Sequence, residues 1–208
     1  MPTINDNGES LVDLRKYCPG VLLDLDLDRK KIEKSAFARL GVAKKLNIAI
    51  RLLPPELTFK IADAWRPQYI QDKYFNWYTN FFARENPSWS KTKIIAKVKK
   101  FVHPSKGKYA SGHLTGGALD LVLAYRKSGK RLPLKMTSLT FQENSLSKQT
   151  KLSKSIIRNR NIMFKVLEEA GFVNYSKEYW HWSYGDIYWA EKTNNRRAIY
   201  DIKKSFKK

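Results

Sequence analysis

Cysteine is nearly absent from this 208-residue chain: Cys18 stands alone, so no internal disulfide is available. Histidine is almost as scarce, with His103, His113 and His181 the three present. No apolar run approaches the ~18 residues that a membrane-crossing helix needs. The opening stretch, "MPTINDNGESLVDLRKY", lacks the basic and apolar regions of a secretory signal, and the expected location is the cytoplasm. Internal repeats and low-complexity linkers are missing as well. Acidic residues are few: 19 Asp and Glu against 40 Lys and Arg leave a formal charge of +21. That charge suits nucleic acid, an anionic membrane or a wall polyanion. The cations, however, are spread from Arg15 to Lys208, and no aromatics alternate with them as a base-stacking platform requires. Nucleic acid is therefore not the expected partner, and a solvated lysine-rich surface accounts for most of the charge.

What is present is a globular composition, 42% hydrophobic and 13% aromatic, which excludes a disordered chain. The length fits one domain over residues 1–208. Apolar residues recur at helical spacing from Ile32 to Leu53, and Pro54-Pro55 ends that helix. "LTFKIADA" (Leu57–Ala64) reads as a strand leading into Trp65-Arg66-Pro67, and Pro67 suits the first turn of a helix from Gln68 to Arg84. A basic helix follows over Lys91–Phe101. "ALDLVL" (Ala118–Leu123) alternates as a strand after a turn at Gly116-Gly117. Arg126–Gln149 reads as loop, and Ile156–Ala170 as an amphipathic helix closed by Gly171. "FVNY" and "YWHWSYG" read as a hairpin around Ser176-Lys177, and a short helix is expected around Ala190–Tyr200. The fold class is α+β, with a small antiparallel or mixed central sheet flanked by helices.

Two stretches carry chemistry. In "SGHLTGGALDL" (Ser111–Leu121), Leu119, Leu121 and Leu123 share one strand face, so Asp120 points to the other beside small neighbours. A carboxylate in an apolar strand needs something positive to hold it. The Gly-Gly turn lets His113 swing over that strand. "KEYWHWSYGD" adds Glu178 and His181, and a bend is expected between them because residues three apart on a strand face opposite ways. Two histidines and one aspartate leave a fourth coordination position open, the pattern of a catalytic zinc, with Glu178 free to act as base. Taken singly, each has a plainer role: His113 as a hydrogen-bonding turn residue, Asp120 as a cap, His181 as a packed ring. Together they favour a metal. His103, in "VHPS", reads as a loop residue.

These motifs resemble those of the zinc D-alanyl-D-alanine peptidases of the M15 type. "SGHLTGGALDL" matches their S-x-H-x-x-G-x-A-x-D pattern, "EYWHW" their E-x-W-H motif, and "DAWRP" (Asp63–Pro67) the D-A-Y/W-R-P motif of the D-alanyl-D-alanine dipeptidase branch. The resemblance implies a Hedgehog/DD-peptidase-like fold and one Zn²⁺ per chain held by His113, Asp120 and His181. It further implies Glu178 as general base, Arg66 as the cation that stabilises the oxyanion, and Ser111 in the substrate site. The expected substrate is the dipeptide D-alanyl-D-alanine or a related small peptide, consumed in remodelling peptidoglycan precursors. In the dipeptidases a Phe-Asp supplies the carboxylate for the free amine. Its nearest counterpart here is "MTSLTFQEN", where Phe141 is followed by Gln142 and Glu143, and Glu143 is the expected substitute. Without a carboxylate there, longer peptidoglycan peptides become substrates, as for carboxypeptidases and endopeptidases. A non-catalytic polyanion- or wall-binding module is the reading from a different class; it has no use for Glu178 and Arg66.

Overall fold

A computed structural model describes residues 2–24, 35–105 and 111–205. The chain opens with β1 (Thr3–Ile4), β2 (Leu11–Asp13), α1 (Leu14–Tyr17), β3 (Leu22–Leu23), β4 (Phe37–Arg39) and α2 (Leu40–Leu52). Its middle holds β5 (Leu57–Asp63), α3 (Gln68–Glu85), α4 (Lys91–Val98), α5 (Gly112–Thr115) and β6 (Ala118–Tyr125). The last third adds α6 (Phe141–Ser145), α7 (Lys154–Glu169), β7 (Val173–Asn174), β8 (His181–Ser183), α8 (Ile187–Lys192) and β9 (Arg197–Ala198).

The central sheet runs in the order β3-β5-β6-β8-β7, antiparallel except for the parallel β3–β5 pair. Its leucine face is the core. Leu119, Leu121 and Leu123 are fully buried with Val42, Ala43 and Leu46 of α2 and Met163 and Leu167 of α7. Each such leucine contributes about 1.5–3 kcal/mol relative to exposure. The opposite face carries Asp120 and stays open for the site. On that side α3 and α4 pack together through Phe82, Ile94 and Val98. Pro67 precedes α3, as expected from its fixed φ, and Ser90 caps α4 by accepting the Lys93 N–H at 3.3 Å.

Several boundaries differ from the sequence reading. Ile32 lies outside the described residues, and the helix begins only at Leu40, because Phe37–Arg39 pairs antiparallel with β2. The buried Arg39 guanidinium ties this corner down, bonding Asp6 and the carbonyls of Glu9, Thr115 and Asp201. The basic helix stops at Val98 rather than Phe101. The 126–149 stretch contains α6, nucleated by a capping box between Thr140 and Glu143. The expected Ala190–Tyr200 helix is instead α8 followed by a left-handed Asn194 (φ 55°) and β9, which pairs in parallel with β1.

Candidate active site and metal centre

His113, Asp120 and His181 arrive from three elements. The single turn α5 carries His113; Ser111 Oγ accepts the His113 N–H at 3.4 Å, and Gly116 closes the turn with φ 74°. That left-handed position, with Leu11 Cδ2 2.7 Å from where a Cβ would sit, requires glycine. His113 Nδ1 lies 2.7 Å from the Ala64 carbonyl. A carbonyl can only accept, so Nδ1 carries the proton and Nε2 is turned to Asp120 Oδ1, 3.3 Å away.

The sheet aligns the rest. β6 pairs Asp120 with His181 of β8 on one side and with Asp63 of β5 on the other, the latter through a bulge between Ile61 and Asp63. Asp120 Oδ1 is 3.0 Å from His181 Nδ1, and the two imidazole rings meet edge to face with centroids 4.8 Å apart. One ligand atom from each of the three residues lies within 4.8 Å of the others. His113 Nε2 and the Asp120 carboxylate oxygen face each other at 3.3 Å, a separation that a proton or a cation shared between them accommodates. The donor set, two imidazole nitrogens and one carboxylate oxygen, fits a divalent ion such as zinc with a coordination position left over. Burial works against the Asp120 charge, yet His113 and His181 hold its carboxyl far below the usual carboxylate range. Burial likewise opposes a charged His181, but the hydrogen bond to Asp120 prevails and raises its pKa.

Glu178 stands on the turn that enters β8. The expected bend is there: the His181 N–H donates to the Glu178 carbonyl at 3.0 Å. Asn174 Nδ2 pins the turn by donating to the carbonyls of Glu178 and His181 at 3.1 and 3.0 Å. Burial pushes the Glu178 carboxyl up, with His181 pulling the other way and Asp120 reinforcing the rise.

Arg66 follows β5 and is bound on every side. Nε and Nη2 donate to Asp63 Oδ2 at 3.1 and 2.7 Å, Nη1 donates to Gln71 Oε1 at 2.8 Å, and the guanidinium lies 4.4 Å over the Tyr74 ring. Its backbone N–H donates to the His113 carbonyl at 3.0 Å, which couples the cation to the metal-side turn. Burial disfavours the charge, but Asp63 and Asp120 outweigh it and raise the Arg66 pKa. Arg66, Asp63, Asp120 and Glu178 all line one cavity of about 740 Å³.

The two expected substrate residues, Ser111 and Glu143, do not line the large cavity. Ser111 caps α5 and lines a separate cavity of about 110 Å³, shared with His181, Ser183 and Asp186. Glu143 is absent from the large cavity because its carboxylate is engaged locally, by Thr140 in the capping box and by Lys151 at 3.0 Å. Gln142 and Phe141 line the cavity in its place. Other residues escaped the sequence reading. Asp63, Gln71 and Tyr74 hold Arg66; Asp63 lay within the quoted "DAWRP", whereas Gln71 and Tyr74 looked like ordinary helix residues. Asp186 caps α8 through Oδ1, and its buried Oδ2, like Ser183 Oγ, has no hydrogen-bond partner among the described residues. His103 is a loop residue, as expected, and its carbonyl accepts from Gln71 Nε2 at 2.5 Å.

A family profile described as peptidase M15, D-ala-D-ala dipeptidase, matches residues 33–199. The chain belongs to the peptidase M15 family. Among curated relatives, this M15 chain is 25% identical over 122 residues to the D-alanyl-D-alanine dipeptidase of Enterococcus faecalis, covering 58% of each chain. It is 28% identical over 184 residues to the D-alanyl-D-alanine dipeptidase of Synechocystis sp., covering 76% of this chain and 73% of that one. The M15 chain thus spans a little over half the length of the first relative and about three quarters of the second. Among solved structures, a vancomycin resistance D,D-pentapeptidase VanY mutant in complex with Zn(II) aligns over 95% of this chain and 93% of its own, with a TM-score of 0.47 and 12% identity.

Proposed function

We propose that this M15 chain is a zinc-dependent peptidase that hydrolyses the peptide bond of a D-alanyl-D-alanine unit. The observation that carries the reading is the convergence of His113, Asp120 and His181 beside a cavity that holds a half-buried carboxylate and a pre-bonded arginine. The names of the curated relatives support the substrate.

His113, Asp120 and His181 would hold the zinc, which when bound would acidify a water and polarise the scissile carbonyl. Glu178 takes the proton from the attacking water onto its carboxylate and delivers it to the amine nitrogen as the carbon–nitrogen bond breaks. Its raised pKa suits both halves, since the same oxygen must accept and then release. No hydrogen bond or ion pair among the described residues engages that carboxylate. Arg66 faces the carbonyl oxygen as negative charge develops on it. Because Asp63, Gln71 and Tyr74 already hold the guanidinium, little reorganisation is needed at that moment.

The test is release of free D-alanine from D-alanyl-D-alanine by the purified full chain. Release that stops with a chelator and returns with zinc supports the reading. A zinc-loaded chain that releases no D-alanine from the dipeptide or from an N-acylated analogue contradicts it.

A further inference from the structure

The small cavity beside His181 gathers polar atoms that the catalytic scheme leaves unused. It measures about 110 Å³, and Gly112, His181, Ser183 and Asp186 are among the residues that line it. Asp186 is 1% exposed, and its two carboxylate oxygens are in different situations. Oδ1 accepts the Trp189 N–H at 2.8 Å and so caps α8. Oδ2 has no hydrogen-bond partner among the described residues, and neither has Ser183 Oγ. Leaving buried polar atoms unpaired is costly, so two of them in one cavity point to a group that bonds both. The cap does not explain the second oxygen, because serine or threonine caps a helix with one.

The fold makes room for Oδ2. A Cβ at Gly112 would stand 2.1 Å from Asp186 Oδ2 and 3.0 Å from Ala118 Cβ. The Gly112 φ is not left-handed, so the turn itself does not call for glycine there. Any larger residue would displace the carboxylate. From the other side, the alternation of β8 puts Ser183 on the strand face that carries His181, opposite Ala118 as His181 is opposite Asp120.

His181 has one ring nitrogen still to place. Nδ1 lies 3.0 Å from Asp120 Oδ1 on the metal side. Nε2 makes no hydrogen bond among the described residues, and the ring lines the small cavity. An imidazole that offers the Nδ1 lone pair to a cation carries its proton on Nε2, and that N–H needs an acceptor. Burial pushes the Asp186 carboxyl up, while the Trp189 N–H, the Ser183 hydroxyl and the His181 imidazole pull it down.

We propose that Asp186 is a positioning residue for the metal centre, acting on His181 through one water in the small cavity. The water accepts the His181 Nε2–H, donates to Asp186 Oδ2 and bonds Ser183 Oγ. Three partners are what a buried water usually has, and the cavity is well above the ~10–15 Å³ that one water needs. The inference rests on the zinc site proposed above and adds what orients its His181 ligand. The relay holds the tautomer whose Nδ1 lone pair is free for the cation, and the carboxylate beyond the water makes that nitrogen a stronger donor.

The test is the zinc affinity of the purified full chain, measured by competition with a chromophoric chelator, for wild type, Asp186→Asn and Ser183→Ala. Asparagine still caps α8 through its side-chain oxygen and keeps the shape of aspartate, but it lacks the negative charge. Asp186→Asn is expected to raise the zinc Kd about 10–100-fold, with the zinc-free Tm close to wild type. Ser183→Ala leaves the cap untouched and raises Kd roughly 2–10-fold, the worth of one hydrogen bond. If Asp186 serves only as a cap, Kd is unchanged in both variants, and that result overturns the inference while leaving the zinc site intact. Crystals of the zinc-loaded wild type decide the matter even if the asparagine variant fails to fold. A water within about 3.2 Å of His181 Nε2, Asp186 Oδ2 and Ser183 Oγ is expected there. His181 Nε2 bonded to any other group overturns the relay. A wild-type chain that binds no zinc overturns the proposed metal centre and the inference with it.

Discussion

Asp120 and His181 are cross-strand partners, placed opposite each other by the β6–β8 register with Oδ1 3.0 Å from Nδ1. The same carboxylate oxygen lies 3.3 Å from His113 Nε2. The donors stand on paired strands and a capped turn, so the geometry precedes the ion. Zinc is therefore expected to raise the Tm of the wild-type chain, by about 2.7 kcal/mol of stabilisation when free zinc is a hundredfold above its Kd. Asp120→Ala abolishes that shift in a thermal melt with and without zinc.

Glu178→Gln keeps the proposed ligands and removes the proposed base. Zinc content measured by elemental analysis stays at the wild-type level, while kcat drops by about 10²–10⁴. The base works only when ionised, and burial raises its pKa. The acid limb of kcat/KM against pH is thus expected above the ordinary glutamate range, with activity lost as pH falls through it, and that limb disappears in the variant.

Arg66→Ala should lower kcat by about 10²–10³ with a smaller change in KM, since its contact with the oxygen strengthens in the transition state. Arg66→Lys restores little, because an ammonium cannot bond Asp63 through two nitrogens, reach Gln71 and stack on Tyr74 together. Steady-state kinetics of the two variants decide the point: loss confined to KM contradicts the oxyanion role.

The parts of this architecture that were readable in the sequence are those fixed by neighbours along the chain. Leu119, Leu121 and Leu123 alternate, so the strand and the opposite orientation of Asp120 follow from its period of two. Pro67 marks the start of α3 because its φ is already helical. What depended on distant partners was not readable. The bulge between Ile61 and Asp63, which sets Asp63 beside Asp120, belongs to the pairing of β5 with β6 and leaves no local trace. Apolar spacing ran through Ala36 into α2, but pairing of Phe37–Arg39 with β2 overrode it. Glu143 looked like a substrate carboxylate from its place after Phe141. The Thr140-x-x-Glu143 spacing was itself a capping-box signature, and that local bond prevails.

The turn that presents His113 depends on Gly116. Gly116→Ala forces a side chain into a left-handed position 2.7 Å from Leu11 Cδ2. A loss of about 1–3 kcal/mol in urea unfolding is expected, from backbone strain and overpacking together.

Cys18 is fully buried, and burial pushes its thiol up to about 12. Only the thiolate reacts readily, so a thiol reagent at neutral pH labels the native chain no faster than it unfolds. Labelling that outpaces unfolding would contradict the packing of α1 against α2.

The account's central claim is that one ion is shared by two imidazoles and Asp120. Anomalous diffraction from zinc-loaded crystals, collected on either side of the zinc edge, tests it most directly. A single strong peak within bonding distance of His113 Nε2, Asp120 Oδ1 and His181 Nδ1 is expected. A zinc peak bound elsewhere, with those three side chains in contact only with one another, would contradict it.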